Sequence, residues 1–368
     1  MFQWLTGCVT DSSAMILLGP TLCLPSQATV QELFVVARDA NAVPNISLDP
    51  VLGSFLSLDS SAALQHQYTS LQRSLSEGQR AALGLRLNRE LPGGRVTLGG
   101  VGVVALALSL LLDHVAQQVR GNISVEAGQS PLTSPPKKIF GIAVTSRIGR
   151  IAHNYLSLIP GLANDQELMA ETTEIYDNWL NLEMLDHYHR MTKKKRMSSV
   201  SMQQWLTGAA FHLHMRIHQV RLHSVPTGSA ESLRLSYKTA LNHLLQGYTV
   251  YLHRNIQETA ASLAEHHGNG TCSSELSFNI SQAKTLDQTS HDGICRSHKE
   301  GLLVIEPGRN VSHGVWHHPC ESPAIQQALV TRIINAQDLE HSRSFFLHPK
   351  KVFQRLLTQE DAFELSAD

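Results

Sequence analysis

The sequence lacks most of the short motifs that announce an enzyme. It holds no phosphate-binding loop, no Gly-x-Ser-x-Gly elbow and no paired-carboxylate constellation. Gly99-Gly100-Val101-Gly102 is not Gly-x-Gly-x-x-Gly, and no acidic ribose contact follows it in a βαβ setting. The five cysteines, Cys8, Cys23, Cys272, Cys295 and Cys320, form no Cys-x-x-Cys pair, which argues against zinc ribbons and thioredoxin-type redox sites. An excess of either sign of charge is also missing: a formal net charge of −1 excludes a globally basic nucleic-acid binder, so a polyanion would have to be held by a local patch. No repeat of fixed period is present.

One long run without charge stands out. Val96–Leu112 carries Thr97 and Ser109 as its only polar side chains, and is closed by Asp113. Its length lies at the lower end of the roughly 17–25 residues that span a bilayer. Arg73, Arg80, Arg86, Arg89 and Arg95 precede it, so a spanning helix would keep its N-terminal side in the cytosol and its C-terminal side in the lumen. The other reading is a buried core helix, since Gly99, Gly100 and Gly102 weaken an isolated helix by about 1 kcal/mol each.

Five glycosylation sequons begin at Asn45, Asn122, Asn269, Asn279 and Asn310. About two would arise by chance from fourteen asparagines, so the excess points to a lumenal or extracellular compartment. Three of them share one Gly/Ser/Asn-rich stretch with Cys272, Cys295 and Cys320, and glycans and disulfides belong to the same compartment. Met15–Leu24 resembles the apolar core of a signal peptide, although no basic segment precedes it.

The periodicity predicts a mainly α fold: a helical bundle with one long amphipathic helix and a Cys/sequon-rich irregular loop. The expected divisions are 1–28, a signal peptide or N-terminal segment; 29–120, a helical region containing the apolar helix 96–112; and 121–138, a Pro/Ser-rich linker. Beyond the linker come 139–266, the bundle; 267–322, the Cys/glycosylation loop; and 323–368, a C-terminal helical docking segment. Within these, 30–58 reads as irregular, about 61–90 as one helix behind Asp59-Ser60-Ser61, and Ile139–Ile159 as a helix stopped by Pro160-Gly161. Asp165 caps a helix to about Met191 with Leu168, Ile175, Trp179, Leu182 and Leu185 on one side. Ser199–His223 follows, and then Ala230–His266 with the stripe Tyr237, Leu241, Leu244, Tyr248, Leu252, Ile256. A short strand falls at Leu302–Ile305, and the last helical region carries Ile325, Leu329, Ile333 and Leu339.

Three groups of residues carry chemistry. His212, His214 and His218 lie on one helix, and the i, i+4 pair His214/His218 has zinc-ligand spacing, with His187 or His189 available as a third ligand. The glutamate of a His-Glu-x-x-His protease is absent. Cys295 and His298 with His317, His318 and Cys320 could make a tetrahedral zinc site, but in an oxidising compartment a disulfide among Cys272, Cys295 and Cys320 is favoured. Arg190, Lys193, Lys194, Lys195 and Arg196 form a basic run between two helices, suited to heparan sulfate or anionic lipid outside the cell and to nuclear import inside it. The sum is a non-enzymatic secretory-pathway glycoprotein, membrane-anchored or secreted, that acts through binding surfaces with no cofactor, no specific nucleic acid and an unidentified protein partner. A metal-binding protein or zinc enzyme built on the histidines is the second reading, and a cytosolic or nuclear adaptor is the third.

Overall fold

The computed structural model describes residues 27–91, 93–121, 138–260, 301–306, 315–317, 323–347, 350–359 and 362–365. Among them the chain is mainly helical, with twelve helices and seven short strands. It divides into two compact units: residues 1–43 with 253–330, and residues 44–252 with 331–368. Both ends of the 121–138 linker therefore lie in the second unit.

In the first unit, α1 (Gln27–Asp39) packs against β6 (Val315–His317) of an antiparallel sheet in the order β4 (Gln257–Ala260), β5 (Gly301–Val304), β6. β5 is the strand expected near Leu302, whereas α1 falls in a stretch expected to be irregular. Its run Leu33-Phe34-Val35-Val36 has no helical period, and its stop is Asn41 at φ +56°, a left-handed cap that Asn tolerates better than most residues.

The second unit is the helical bundle. It contains α2 (Pro50–Ser54), α3 (Ser60–Ser74), α4 (Glu77–Glu90), α5 (Val103–Gly121), α6 (Arg147–Leu162), α7 (Gln166–Thr192), α8 (Ser199–Arg221) and most of α9 (Thr227–Asn255). It also takes in the end of α10 (Pro323–Ala336), with α11 (Leu339–Phe345) and α12 (Lys350–Thr358). The expected helix over 61–90 is two helices. Ser76 accepts from the Gln79 amide while the Gln79 side chain accepts from the Ser76 amide, a capping box that starts α4 and ends continuity at Leu75. The expected helix from Ile139 begins later, because β2 (Lys138–Ile139) and β3 (Ile142–Ala143) form a hairpin turned by Phe140 and Gly141, both at positive φ. Pro160 lies inside the last turn of α6 instead of stopping it. The long helix is α9, which ends at Asn255, short of the expected His266, where β4 takes over; the stripe from Tyr237 to Ile256 is buried as expected.

The apolar run is not one helix either. Arg95–Val96 forms β1, paired antiparallel with β7 (Phe363–Glu364), and Leu98 and Gly102 at positive φ turn the chain into α5. α5 is long and apolar enough to cross a membrane by length and composition. Within this unit it is packed by α3, α4, α6 and α8, and every residue from Val103 to Ser109 is buried. Of the two environments read from the sequence, this burial supports the protein core.

α8 is the centre of the bundle. Trp205, Phe211 and Ile217 are fully enclosed, and the helix takes neighbours from α5, α6, α7 and α12. Gly208 permits the closest approach: a Cβ there would lie 2.5 Å from Met184 Sδ on α7 and 3.0 Å from Ile148 Cγ2 on α6.

Candidate functional site

The three histidines of α8 are brought into the core but do not converge. His212 faces α7 and α9: its Nε2 lies 2.9 Å from Asp177 Oδ1 and its Nδ1 2.6 Å from the Tyr237 hydroxyl. His214 Nε2 donates to the Leu52 carbonyl at 2.7 Å, and its ring lies against Phe345. His218 is enclosed with both ring nitrogens unpartnered. Among the described residues no group of three metal-ligating side chains is assembled. The reason is geometric: two helical residues apart separates His212 from His214 by about 200°, onto different faces.

His212 belongs instead to a buried polar chain. Asp177 also accepts from Arg216, through Nε at 3.2 Å and a terminal nitrogen at 2.5 Å. Burial raises the Asp177 pKa, but the hydrogen bonds from His212 and Arg216 and the Arg216 charge outweigh it and hold the carboxyl below its usual range. The ionised carboxylate fixes the Nε2–H tautomer of His212, which leaves Nδ1 to accept from Tyr237, whose O–H burial preserves. The order Tyr–His–Asp–Arg resembles a proton relay, yet His212 and Asp177 are enclosed and line neither of the two cavities described below. Its evident role is to lock α7, α8 and α9 in register.

The basic run emerges at the end of α7. Arg190 is drawn back into it, donating to Glu183 at 2.7 Å and to Asp186, while Lys193, Lys194, Lys195 and Arg196 are exposed. Arg190 and Arg196 reach a cavity of about 430 Å³, with Arg147, Glu183 and His187. Arg147 comes from α6, forty-three residues before Arg190, and no sequence spacing links them. A second cavity, about 460 Å³, is lined from α3 alone, by residues from Ala62 to Arg73.

α7 carries the largest surprise. Its core side is Met169, Thr173, Asp177, Leu180, Met184, His187 and Met191. The stripe legible in the sequence points the other way: Leu168, Ile175, Trp179, Leu182 and Leu185 are exposed, Trp179 by 54% and Leu182 by 65%. The helix is apolar on two opposite faces, and only one is used by the fold.

Of the five sequon asparagines, Asn45 is described and is exposed, between Pro44 and Ile46, whose backbones are held by Gln337 at 2.7 Å each. Asn122, Asn269, Asn279 and Asn310, and the disulfide candidates Cys272, Cys295 and Cys320, lie outside the described residues. Comparison with protein-family models, with curated proteins and with solved structures found no match.

Proposed function

We propose that the chain is a helical interaction module of the secretory pathway, working by binding instead of catalysis, and that its docking face is the outward stripe of α7. The observation that carries this is the exposure of five large apolar side chains along one line of a single helix, opposite the face it buries. The sequons, with Asn45 presented at the surface, support the compartment.

The occupant that fits is a second copy of the same helix, antiparallel. The exposed residues of the first turns are acidic, with Glu167, Glu171 and Glu174, and the exit is basic, with His189, Lys193 and Lys194. Two copies related by a two-fold axis near Leu180–Asn181 set Ile175 and Trp179 against Leu185 and Leu182 of the other, and Glu167 against Lys194. Such a surface is complementary to itself, as an isologous contact requires. Burying the remaining half of each apolar side chain contributes about 1 kcal/mol, or about 8–10 kcal/mol over both copies. Association costs at least about 4 kcal/mol, which leaves a surplus of about 4–6 kcal/mol at most, so the dimer is weak, with a dissociation constant no tighter than about tens of micromolar to a millimolar.

Sedimentation equilibrium of the full chain tests this. The expected result is a monomer–dimer equilibrium abolished by Leu182→Lys or Leu185→Lys, with thermal midpoints nearly unchanged because these side chains are 65% and 61% exposed. A monomer at every concentration, or a dimer indifferent to both substitutions, overturns the docking face. An unchanged electrophoretic mobility after glycosidase treatment of protein from secretory cells overturns the compartment.

A further inference from the structure

We infer that the cavity between α6 and α7 is a binding site for a tetrahedral oxyanion, the phosphate or sulfate ester of a small polar molecule. It stands apart from the α7 stripe and rests on different residues. Its volume, about 430 Å³, falls in the range of about 300–1,000 Å³ typical of small-molecule sites, which leaves room for a body beside the oxyanion.

The charges are arranged in two tiers. Glu183 is neutralised from within, because Arg190 donates to it at 2.7 Å and is itself oriented by His187. His187 Nε2 donates to the Ser201 carbonyl at 2.9 Å, so Nδ1 accepts from Arg190 at 3.1 Å. Burial pushes the His187 pKa down, so the ring orients without adding charge. Arg190 is thus committed to the protein. Arg147 makes only long contacts through one terminal nitrogen, to Glu183 at 3.5 Å and to Asp186 at 3.7 Å, and its side chain stays 65% exposed, while Arg196 has no carboxylate partner among the described residues. Arg196 and the remaining nitrogens of Arg147 are left for a ligand, and three arginines stand against two carboxylates, Glu183 and Asp186.

A third source of positive potential is the start of α6. Ser146 caps the helix by accepting from Gly149, so the amides of Arg147 and Ile148 have no intrahelical acceptor, and Ser146, Arg147 and Ile148 all line the cavity. Arg147, Arg196, Thr145 and the helix start line the cavity from different sides of the chain, and donors spread over several directions suit a group with three outward oxygens better than a planar carboxylate. The lysines Lys193, Lys194 and Lys195 do not line the cavity, which separates this site from a diffuse basic patch.

Isothermal titration of the full chain with inorganic phosphate, sulfate, glucose 6-phosphate and glucose 6-sulfate at low ionic strength tests the site. One-to-one saturable binding is expected, with the esters tighter than the bare ions and the better ester identifying the natural oxyanion. Arg147→Ala and Arg196→Ala each weaken it about tenfold, while a Lys193→Ala/Lys195→Ala variant stays within about twofold. Glu183→Gln tightens it, because a carboxylate leaves the cavity and Arg147 keeps only its 3.7 Å contact with Asp186. Circular dichroism confirms that each variant is folded. No saturable binding below about 10 mM, a value weaker than about 3 kcal/mol of affinity, overturns the inference. So does a lysine variant that loses as much as the arginine variants.

Discussion

His218 sets a definite acid sensitivity on this fold. It is 2% exposed, neither ring nitrogen has a partner, and Arg221 lies one helical turn away on the same core helix. Burial, with the Arg221 charge adding to it, lowers its pKa from the usual 6.5 to about 3. Above pH 6.5 the ring is neutral in both the folded and the unfolded chain, and contributes no pH dependence. Below 6.5 the unfolded chain takes up a proton that the folded chain refuses, so stability falls as pH drops, and the loss stops growing near pH 3. At about 1.4 kcal/mol per pH unit, the loss from this one group reaches about 2 kcal/mol at pH 5. His218→Leu removes the titrating ring at similar volume and leaves no unpartnered nitrogen behind, so at pH 7 its stability stays within about 1 kcal/mol of the parent. Urea unfolding of both proteins at pH 7 and pH 5 is the assay. The parent is expected to lose about 2 kcal/mol more than the variant across that interval. Parallel pH profiles would refute a neutral, enclosed His218.

Three further outcomes follow from the same packing. Asp177→Ala strips the partner from His212 and Arg216, and should lower stability by about 3–5 kcal/mol in thermal unfolding at pH 7; because Asp177 titrates below its ordinary range, its contribution is present above about pH 4 and fades only as pH falls further. Gly149→Ala should cost about 2 kcal/mol or more, since a Cβ there would lie 2.3 Å from the Ala143 carbonyl oxygen, and backbone cannot yield as a side-chain tip does. Mass spectrometry of protein from secretory cells should find Asn45 glycosylated together with Asn279, which would place both sides of α5 in one compartment and leave α5 a core helix.

Much of the architecture was legible because it is local. Asp165 as a cap for α7, the start of α8 at Ser199 and the buried stripe of α9 each follow from a cap or a period within a few residues. What escaped was of two kinds. Some signals were local but overlooked: Ser76-x-x-Gln79 marks the start of α4, and the glycines before Val103 mark a turn and not a helix. Others are not local at all. A period shows that side chains share a face, not which way that face points, so α7 offered its apolar stripe without showing that Met169, Thr173 and Met184 would carry the core contact instead. The three histidines of α8 were likewise visible as a group, but Asp177 and Tyr237, which decide what His212 does, come from other helices. Arg147 joins Arg196 only through the packing of α6 on α7.

The self-complementary α7 face is the centre of this account, and charge exchange tests it most directly. In sedimentation equilibrium at low salt, Glu167→Lys and Lys194→Glu should each weaken the dimer about tenfold, because each substitution turns two symmetry-related attractions into repulsions. Combining the two in one chain restores the opposite-sign pairing across an antiparallel contact, and affinity should return to within about twofold of the parent. A double variant as weak as the singles, or singles that leave the dimer unchanged, would contradict an antiparallel α7 interface.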